Sequence, residues 1–457
     1  MLLSLACAVL PSNSPLLPTP IPTAPPIVFP GDNQPQLLST PFTIQPGNLE
    51  AVEALNATRF HQDPEITVLV NAVSPTQLQT YVTSLTSFGT RHVFSATDPQ
   101  DYGIGAARNW IFSEFVRLSQ GSQMNVSFDD FIFNYSNSTS TQRNIVATLP
   151  GVSQHAGVIV MMAHYDSRSV NPNDGGSPAP GANDNASGVA AMLEVARLMS
   201  TRTWNQTIVF IAFAAEEQGR YGSIHYVQNA LLDGQQIDAA LNNDIIGGRP
   251  GIANSIRIFA APSDTADSRQ LARYMQLVGN LYLPDLHITI QNSIDRPDRY
   301  SDHISFIEGG YPAIRLTEAE ENFNAQHNSF DTADKLDYNY LAEIVRLNLA
   351  TISNLAGAPP RPLPPTITPM ANPGSYLLVW GPDPRAASYA ISLRPLGSNQ
   401  YYPTTFHYVS NMIAGNIALT DLDPNQQYAL SLAALDANGR LSAFSRESPQ
   451  TLIGPPP

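Results

Sequence analysis

Seven side chains able to bind hard or borderline cations stand at or near the ends of apolar runs or in polar loops. His164 closes GVIVMMAH (157–164), and Asp166 follows two residues on. Asp184 ends the loop NPNDGGSPAPGAND (171–184), and TIVFIAFAA (207–215) runs straight into Glu216 and Glu217. IDAALNND (237–244) ends in Asp244, and His327 lies in NFNAQHNSFDTADKLD (322–337). Two adjacent glutamates at the end of an apolar run repel each other unless water or a cation holds them.

The set matches the needs of a two-metal centre. Two divalent ions about 3.5–4 Å apart need an anionic bridge, here one carboxylate and a hydroxide. Each ion then takes one imidazole and one further carboxylate. Three carboxylate ligands and a hydroxide bring the core near neutrality, and one carboxylate is left over. Neighbouring side chains of an extended segment point in opposite directions, so one glutamate can ligate while the other faces the water as general base.

The elements that must place these groups are legible as periodicity. TQLQTYVTSLTSFG (76–89) and GAARNWIFSEFVRLSQ (105–120) have helical spacing. NIVATLPG (144–151), 157–164, 207–215, SIRIFAA (255–261) and PAIRLT (312–317) are short apolar runs suited to strands covered on both faces. SGVAAMLEVARLMS (187–200) is an amphipathic helix with Ser187 as its expected N-cap. Strands alternating with helices predict an α/β sheet domain with its site beyond the carboxyl ends of the strands.

Composition narrows the class. The chain has 457 residues, 13% charged, with net charge −15 and no Lys/Arg-rich run, so nucleic acid is not an expected partner. Cys7 is the sole cysteine, which excludes an intrachain disulfide and any thiolate zinc site. MLLSLACAVLPSNS is apolar like an export signal, too short to span a bilayer, and lacks a basic leader. LSLAC loosely resembles a lipoprotein cleavage box, with Ser4 where Leu is usual. Residues 11–36 form a proline-rich tether. A secreted or cell-surface protein is expected, with lipid attachment at Cys7 as a secondary reading.

In order, H-x-D (164–166), GANDNASG (181–188), AEEQG (215–219), NDIIG (243–247), SDH (301–303) and His327 resemble peptidase family M28, the co-catalytic zinc aminopeptidases, over roughly residues 70–355. The resemblance implies an α/β/α sandwich around a mixed, mostly parallel sheet. It implies two zinc ions, with Asp184 bridging, His164 and Asp244 on one, and Glu217 and His327 on the other. Glu216 takes the role of general base, and Asp166 that of holding His164 from behind. The implied reaction is hydrolysis of the N-terminal bond of peptides or proteins by a hydroxide between the metals. Some members carry Tyr immediately before the last His; here it is Gln326, and Tyr300 is the candidate phenol. A one-zinc glutaminyl-cyclase-like acyltransferase and a carboxypeptidase or dipeptidase specificity are the alternatives within this fold. A silent surface adhesin is the alternative outside catalysis.

Other polar residues read more plainly. His225 is expected to pack or face solvent, Asp302 and His303 to shape the pocket wall, and Asp174 and Asp331 to serve turns or caps. An Asn-x-Ser sequon at Asn185 falls inside the proposed site. The expected layout is signal and linker at 1–47, peptidase at 48–355, proline-rich linker at 356–368 and an all-β module at 369–457. In that last part YLLVW, YAISLRP, FHYVS, NIALTDL and QYALSLAALD read as strands of an immunoglobulin-like sandwich. Trp380 and the pattern Leu422-Pro424-Tyr428 resemble a fibronectin type III domain, a spacer or a contact to surface or cell wall.

Overall fold

The computed structural model describes residues 57–454, apart from 99, 154–156, 398–405, 411–415, 420–421 and 424, together with the strand backbone at 42–44. The signal-like segment with Cys7 and the tether 11–36 lie outside the described residues. No helix among the described residues is long and apolar enough to cross a membrane.

Strand β1 (Phe42–Ile44) precedes helices α1 (Pro64–Asn71), α2 (Pro75–Thr86) and α3 (Gly103–Ser119). Strands β2 (Asn125–Tyr135), β3 (Ser138–Leu149) and β4 (Val158–His164) follow, then α4 (Ser187–Met199), β5 (Ile208–Phe213), α5 (Tyr221–Leu232) and β6 (Ile237–Asn243). Next come β7 (Ser255–Phe259), α6 (Asp267–Tyr282), β8 (His287–Ile290), α7 (His303–Glu308), β9 (Ala313–Glu318) and α8 (Tyr338–Gly357).

These strands form one mixed sheet in the order β2-β3-β5-β4-β6-β9-β7-β8. Its centre, β5-β4-β6-β9, is parallel, as strands buried on both faces by crossover helices must be. Every residue of β5, β6 and β9 is buried. Parallel pairing brings the carboxyl ends of β4, β5 and β6 to one edge, where His164 pairs in register with Phe213. The long hairpin β2–β3 extends well beyond the strand expected at 144–151. Its outer half is rich in Asn, Ser and Thr and exposes much of one face, which hides it from a search for apolar runs.

Helix α4 packs unusually close to the end of β6. A Cβ on Gly188 would run into the Asn243 carbonyl oxygen and the Asn185 amide, so only glycine fits there. Ser187 is not the N-cap. The cap is Ala186, and Ser187 Oγ donates back to Asn183 O at 2.7 Å. That bond tightens the turn that carries Asp184.

The C-terminal strands are β10 (Thr366–Pro369), β11 (Tyr376–Val379), β12 (Ser388–Pro395), β13 (Phe406–Ser410), β14 (Asn416–Leu419), β15 (Tyr428–Leu435) and β16 (Leu452–Ile453). They form two sheets, β1-β14-β11-β10 and β13-β12-β15-β16. Residues 42–44, expected as linker, instead add a parallel strand beside β14.

Alternation along β12 and β15 gives this module two buried faces. Tyr389, Ile391, Leu430 and Leu432 fill the space between its sheets with Leu378 and Trp380. Ala390, Ala433 and Leu435 face the other way and join the apolar cluster of Leu271 and Tyr274 on α6. Polar groups lock this contact. Gln270 Nε2 donates to Ser445 O at 3.1 Å and Gln270 Oε1 accepts from Glu447 N at 3.1 Å. Arg394 pairs with Glu447 at 2.5 Å and with Asp264 at 2.9 Å, and Arg273 pairs with Asp264 at 2.5 Å and Glu447 at 3.7 Å. The module is therefore packed onto the α/β part, not spaced from it.

Removing Glu447 leaves two buried guanidiniums facing Asp264. Glu447→Leu is expected to cost about 3–5 kcal/mol, the usual loss when one partner of a buried ion network is deleted. Denaturant unfolding monitored by far-UV circular dichroism checks this, and a loss below about 1 kcal/mol would contradict a fixing role for the network.

Candidate metal centre

Each predicted donor arrives from its own element. His164 is the last residue of β4, Glu216 and Glu217 follow β5, and Asp244 follows β6. Asp184 comes from the irregular turn 182–186, whose Asp184–Asn185 peptide is cis. His327 comes from the loop between β9 and α8.

His164 Nε2 lies 3.4 Å from Asp184 Oδ1 and 3.5 Å from Asp244 Oδ1. His327 Nε2 lies 3.1 Å from Asp184 Oδ2 and 3.3 Å from Glu217 Oε2. The two oxygens of Asp184 thus face different imidazoles, each grouped with its own second carboxylate. Glu216 Oε2 stands 3.9 Å from His164 Nε2. Ligand atoms of His164, Asp184 and Glu217 lie within 4.8 Å of one another, as do those of His164, Glu216 and Asp244. Glu217 Oε1 and Asp244 Oδ1 are buried without a hydrogen-bond donor. Buried carboxylate oxygens without donors beside two imidazoles leave room for a cation, and the donor set fits zinc, which accepts imidazole and carboxylate.

The electrostatics separate the adjacent glutamates. Burial raises both carboxyls, but His327 and Arg168 beside Glu217 hold it below its ordinary value. Burial pushes Glu216 well up, and Asp244, Asp302 and Glu217 add to this against His164. Burial also raises Asp184, yet His164 and His327 bring it well below the ordinary range. Burial would lower His164, but Glu216, Asp166, Asp184 and Asp244 drive it well above its usual value.

Supporting groups hold the donors in place. The Asp166 carboxylate accepts the backbone N–H of Glu216 at 3.3 Å and of Glu217 at 3.1 Å. His164 Nδ1 is nearer to the Asp166 carbonyl oxygen, 3.1 Å, than to its carboxylate, 3.6 Å. Asp166 thus fixes the glutamate turn with its side chain and meets the imidazole first with its backbone. Asp331, expected as a turn or cap residue, is buried and accepts from Asn183 N at 2.8 Å and Asp184 N at 2.9 Å. Arg168 Nε donates to Glu217 at 2.8 Å, and Arg315 pairs with Asp244 at 3.0 Å and Asp295 at 3.0 Å. Arg91, buried, donates to the carbonyls of Tyr165 and Gly181 and so joins the end of β4 to the Asp184 turn. Of the three arginines, Arg315 alone left a trace in the sequence, as a charge inside the apolar run PAIRLT.

The remaining candidates scatter. Tyr300 is half exposed and lines a cavity of about 350 Å³ that opens on the donors. Gln326 donates to Glu321 at 3.1 Å. Asp302 and His303 are buried; His303 Nε2 meets Ile294 O at 2.9 Å. His225 pairs with Asp129 at 3.0 Å and stacks on Phe131, and Asp174 caps its own turn at Gly176 and Ser177. Asn185 is buried and donates to Asn243 O at 2.8 Å, which removes it from glycosylation in the folded state.

Known proteins resemble this chain in sequence and fold. Residues 144–352 match peptidase family M28. A protein of Pyricularia oryzae named "Probable zinc metalloprotease" is 34% identical over 65% of this chain and 68% of its own length. One from Leptosphaeria maculans with the same description is 33% identical over 70% of this chain and 82% of its own. Among solved structures, the LapA aminopeptidase of Legionella pneumophila superposes with TM-score 0.52 at 24% identity, over 66% of this chain and 78% of its own. An aminopeptidase from Aneurinibacillus sp. strain AM-1 superposes with TM-score 0.52 at 16% identity, over 65% and 97%. The latter two comparisons establish the fold.

Glu318, at the end of β9, braces the Asp184 turn by accepting from Asn183 Nδ2 at 2.9 Å and Gly248 N at 2.8 Å. Burial raises its carboxyl from 4.5 to about 7, with those two donors opposing. A carboxyl raised on folding contributes stability that is full below its unfolded value and is lost as pH rises through about 7. Asp331, raised to about 6, and Asp302, raised to about 7, tilt stability the same way. Glu318→Gln keeps the acceptor and is expected to flatten the fall in melting temperature between pH 5 and pH 7.5, shown by thermal scans of both proteins. An unchanged slope would remove Glu318 as its source.

Proposed function

The chain belongs to peptidase family M28 and is a zinc metallopeptidase, and we propose that it is a two-zinc aminopeptidase acting on peptides or proteins with free N-termini. The observation that carries this reading is the Asp184 carboxylate, whose two oxygens serve two His–carboxylate pairs, one at His164 and Asp244, the other at His327 and Glu217. The limited cavity beside them suits a terminal residue better than the middle of an extended chain.

Bound zinc supplies Lewis-acid polarisation of the scissile carbonyl and acidification of water. Asp184, His164, Asp244, His327 and Glu217 would hold the ions. Glu216, adjacent to Glu217 but pushed the other way in pKa, takes the proton of the attacking water and returns it to the leaving amine. Asp166 keeps Glu216 and Glu217 aimed by gripping their amides. Tyr300, on the cavity wall, offers its hydroxyl to the developing oxyanion.

For the C-terminal module we propose a fibronectin type III-like identity. Its support is the division of strands between two sheets and the buried Trp380 set edge-on to Tyr389. Secretion or surface attachment, read from the N-terminal sequence, is the proposed location.

Chelation should abolish cleavage of leucyl-arylamide, and zinc should restore it. Glu216→Gln should lower kcat by about a thousandfold or more while elemental analysis still finds about two zinc ions per chain. One zinc per wild-type chain would favour the glutaminyl-cyclase-like reading, and lost metal in Glu216→Gln would make Glu216 a ligand.

A further inference from the structure

We infer that the cavity beside the metal centre binds a substrate carboxylate against Arg220, Arg296 and Arg299, an inference that rests on the peptidase reading above. The chain as a whole is acidic, with 38 Asp and Glu against 23 Lys and Arg. Yet four arginines line this one cavity: these three and Arg168. Of its acidic lining residues, Asp184, Glu216, Glu217 and Asp244 belong to the metal centre, and only Asp298 is left over.

The arginines differ in how far they are already satisfied. Arg168 is engaged by Glu217 and by the carbonyls of Ser169 and Val170. Arg220 reaches Ser305 Oγ at 3.2 Å and the exposed Glu308 at 3.4 Å. Arg296 pairs with Asp295, itself held by Arg315, and with Glu321. Arg299 finds its nearest carboxylate oxygen, again Glu321, at 3.9 Å, and lies 5.5 Å from the ring centre of Phe323. Glu321 also takes Arg257 at 2.9 Å, so one carboxylate is divided among three guanidiniums. Arg296 and Arg299 project from a single turn closed by their own β-bridge.

The four side chains are only 17–29% exposed at Arg168, Arg220 and Arg299 and 12% at Arg296, so their charge acts through a partly desolvated wall. Such a wall repels the α-ammonium of a substrate, which is left to the acidic side of the site, and attracts a carboxylate by charge-assisted hydrogen bonds. Two parts of a short peptide carry that group: the side chain of an N-terminal Asp or Glu, and the C-terminal carboxylate of a di- or tripeptide.

Zinc-loaded protein should be assayed on α-glutamyl- and glutaminyl-para-nitroanilide, and on Leu-Gly and Leu-Gly-amide. We expect one anionic member to exceed its neutral isostere by about tenfold or more in kcat/KM, and the pair that does so names the source. The ratio should fall towards one in Arg299→Gln and recover in part in Arg299→Lys. It should also fall as salt rises, a readout that needs no variant. Turnover of leucyl-para-nitroanilide with both ratios near one overturns this inference and leaves the peptidase reading intact. If no free-amino substrate is cleaved, that reading fails. Calorimetric binding of glutarate against glutaramide, which carries no carboxylate, then decides: equal affinity overturns the carboxylate site, and tighter glutarate binding that is lost in Arg299→Gln supports it.

Discussion

The structure is organised around a charge that cannot be left alone. Asp184, Glu216, Glu217 and Asp244 converge at the carboxyl ends of a buried parallel sheet, with Asp166 and Asp302 close behind. Ionised carboxylates in such a place are tolerated only against positive charge. The protein supplies some of it through Arg91, Arg168 and Arg315. Oxygens still without donors mark where metal completes the balance.

Much of this was legible in the sequence because parallel strands place chemistry at their ends. Three apolar runs each finished in a candidate ligand, and the sheet brings those ends to one edge. The amphipathic segment 187–200 forms the helix its spacing implied. Groups acting across distance in the chain left weaker marks. Asp331 grips the amides of Asn183 and Asp184, nearly 150 positions away, and a lone Asp in a polar loop reads like any turn residue. The outer part of the β2–β3 hairpin is too polar to register as an apolar run.

The C-terminal module packs directly on the α/β part, and the composition of its strands shows how. Strands such as YAISLRP and YALSLAAL alternate large residues with Ala and Ser, which resembles one buried and one solvated face. Here the small residues are the second buried face, because close packing on α6 needs short side chains. The charged residues there, Arg394 and Glu447, are buried because they find each other and Arg273. Nothing local in the sequence announces that pairing.

That packing turns the β-module into a ruler. A spacer on a flexible link would let the catalytic cleft search a volume around whatever the module held. A module whose outer face is continuous with the core beneath the cleft has no such freedom. A ligand held there would meet the cleft at one offset and one angle, and distance from the point of attachment would join the end residue in setting which bond is reached.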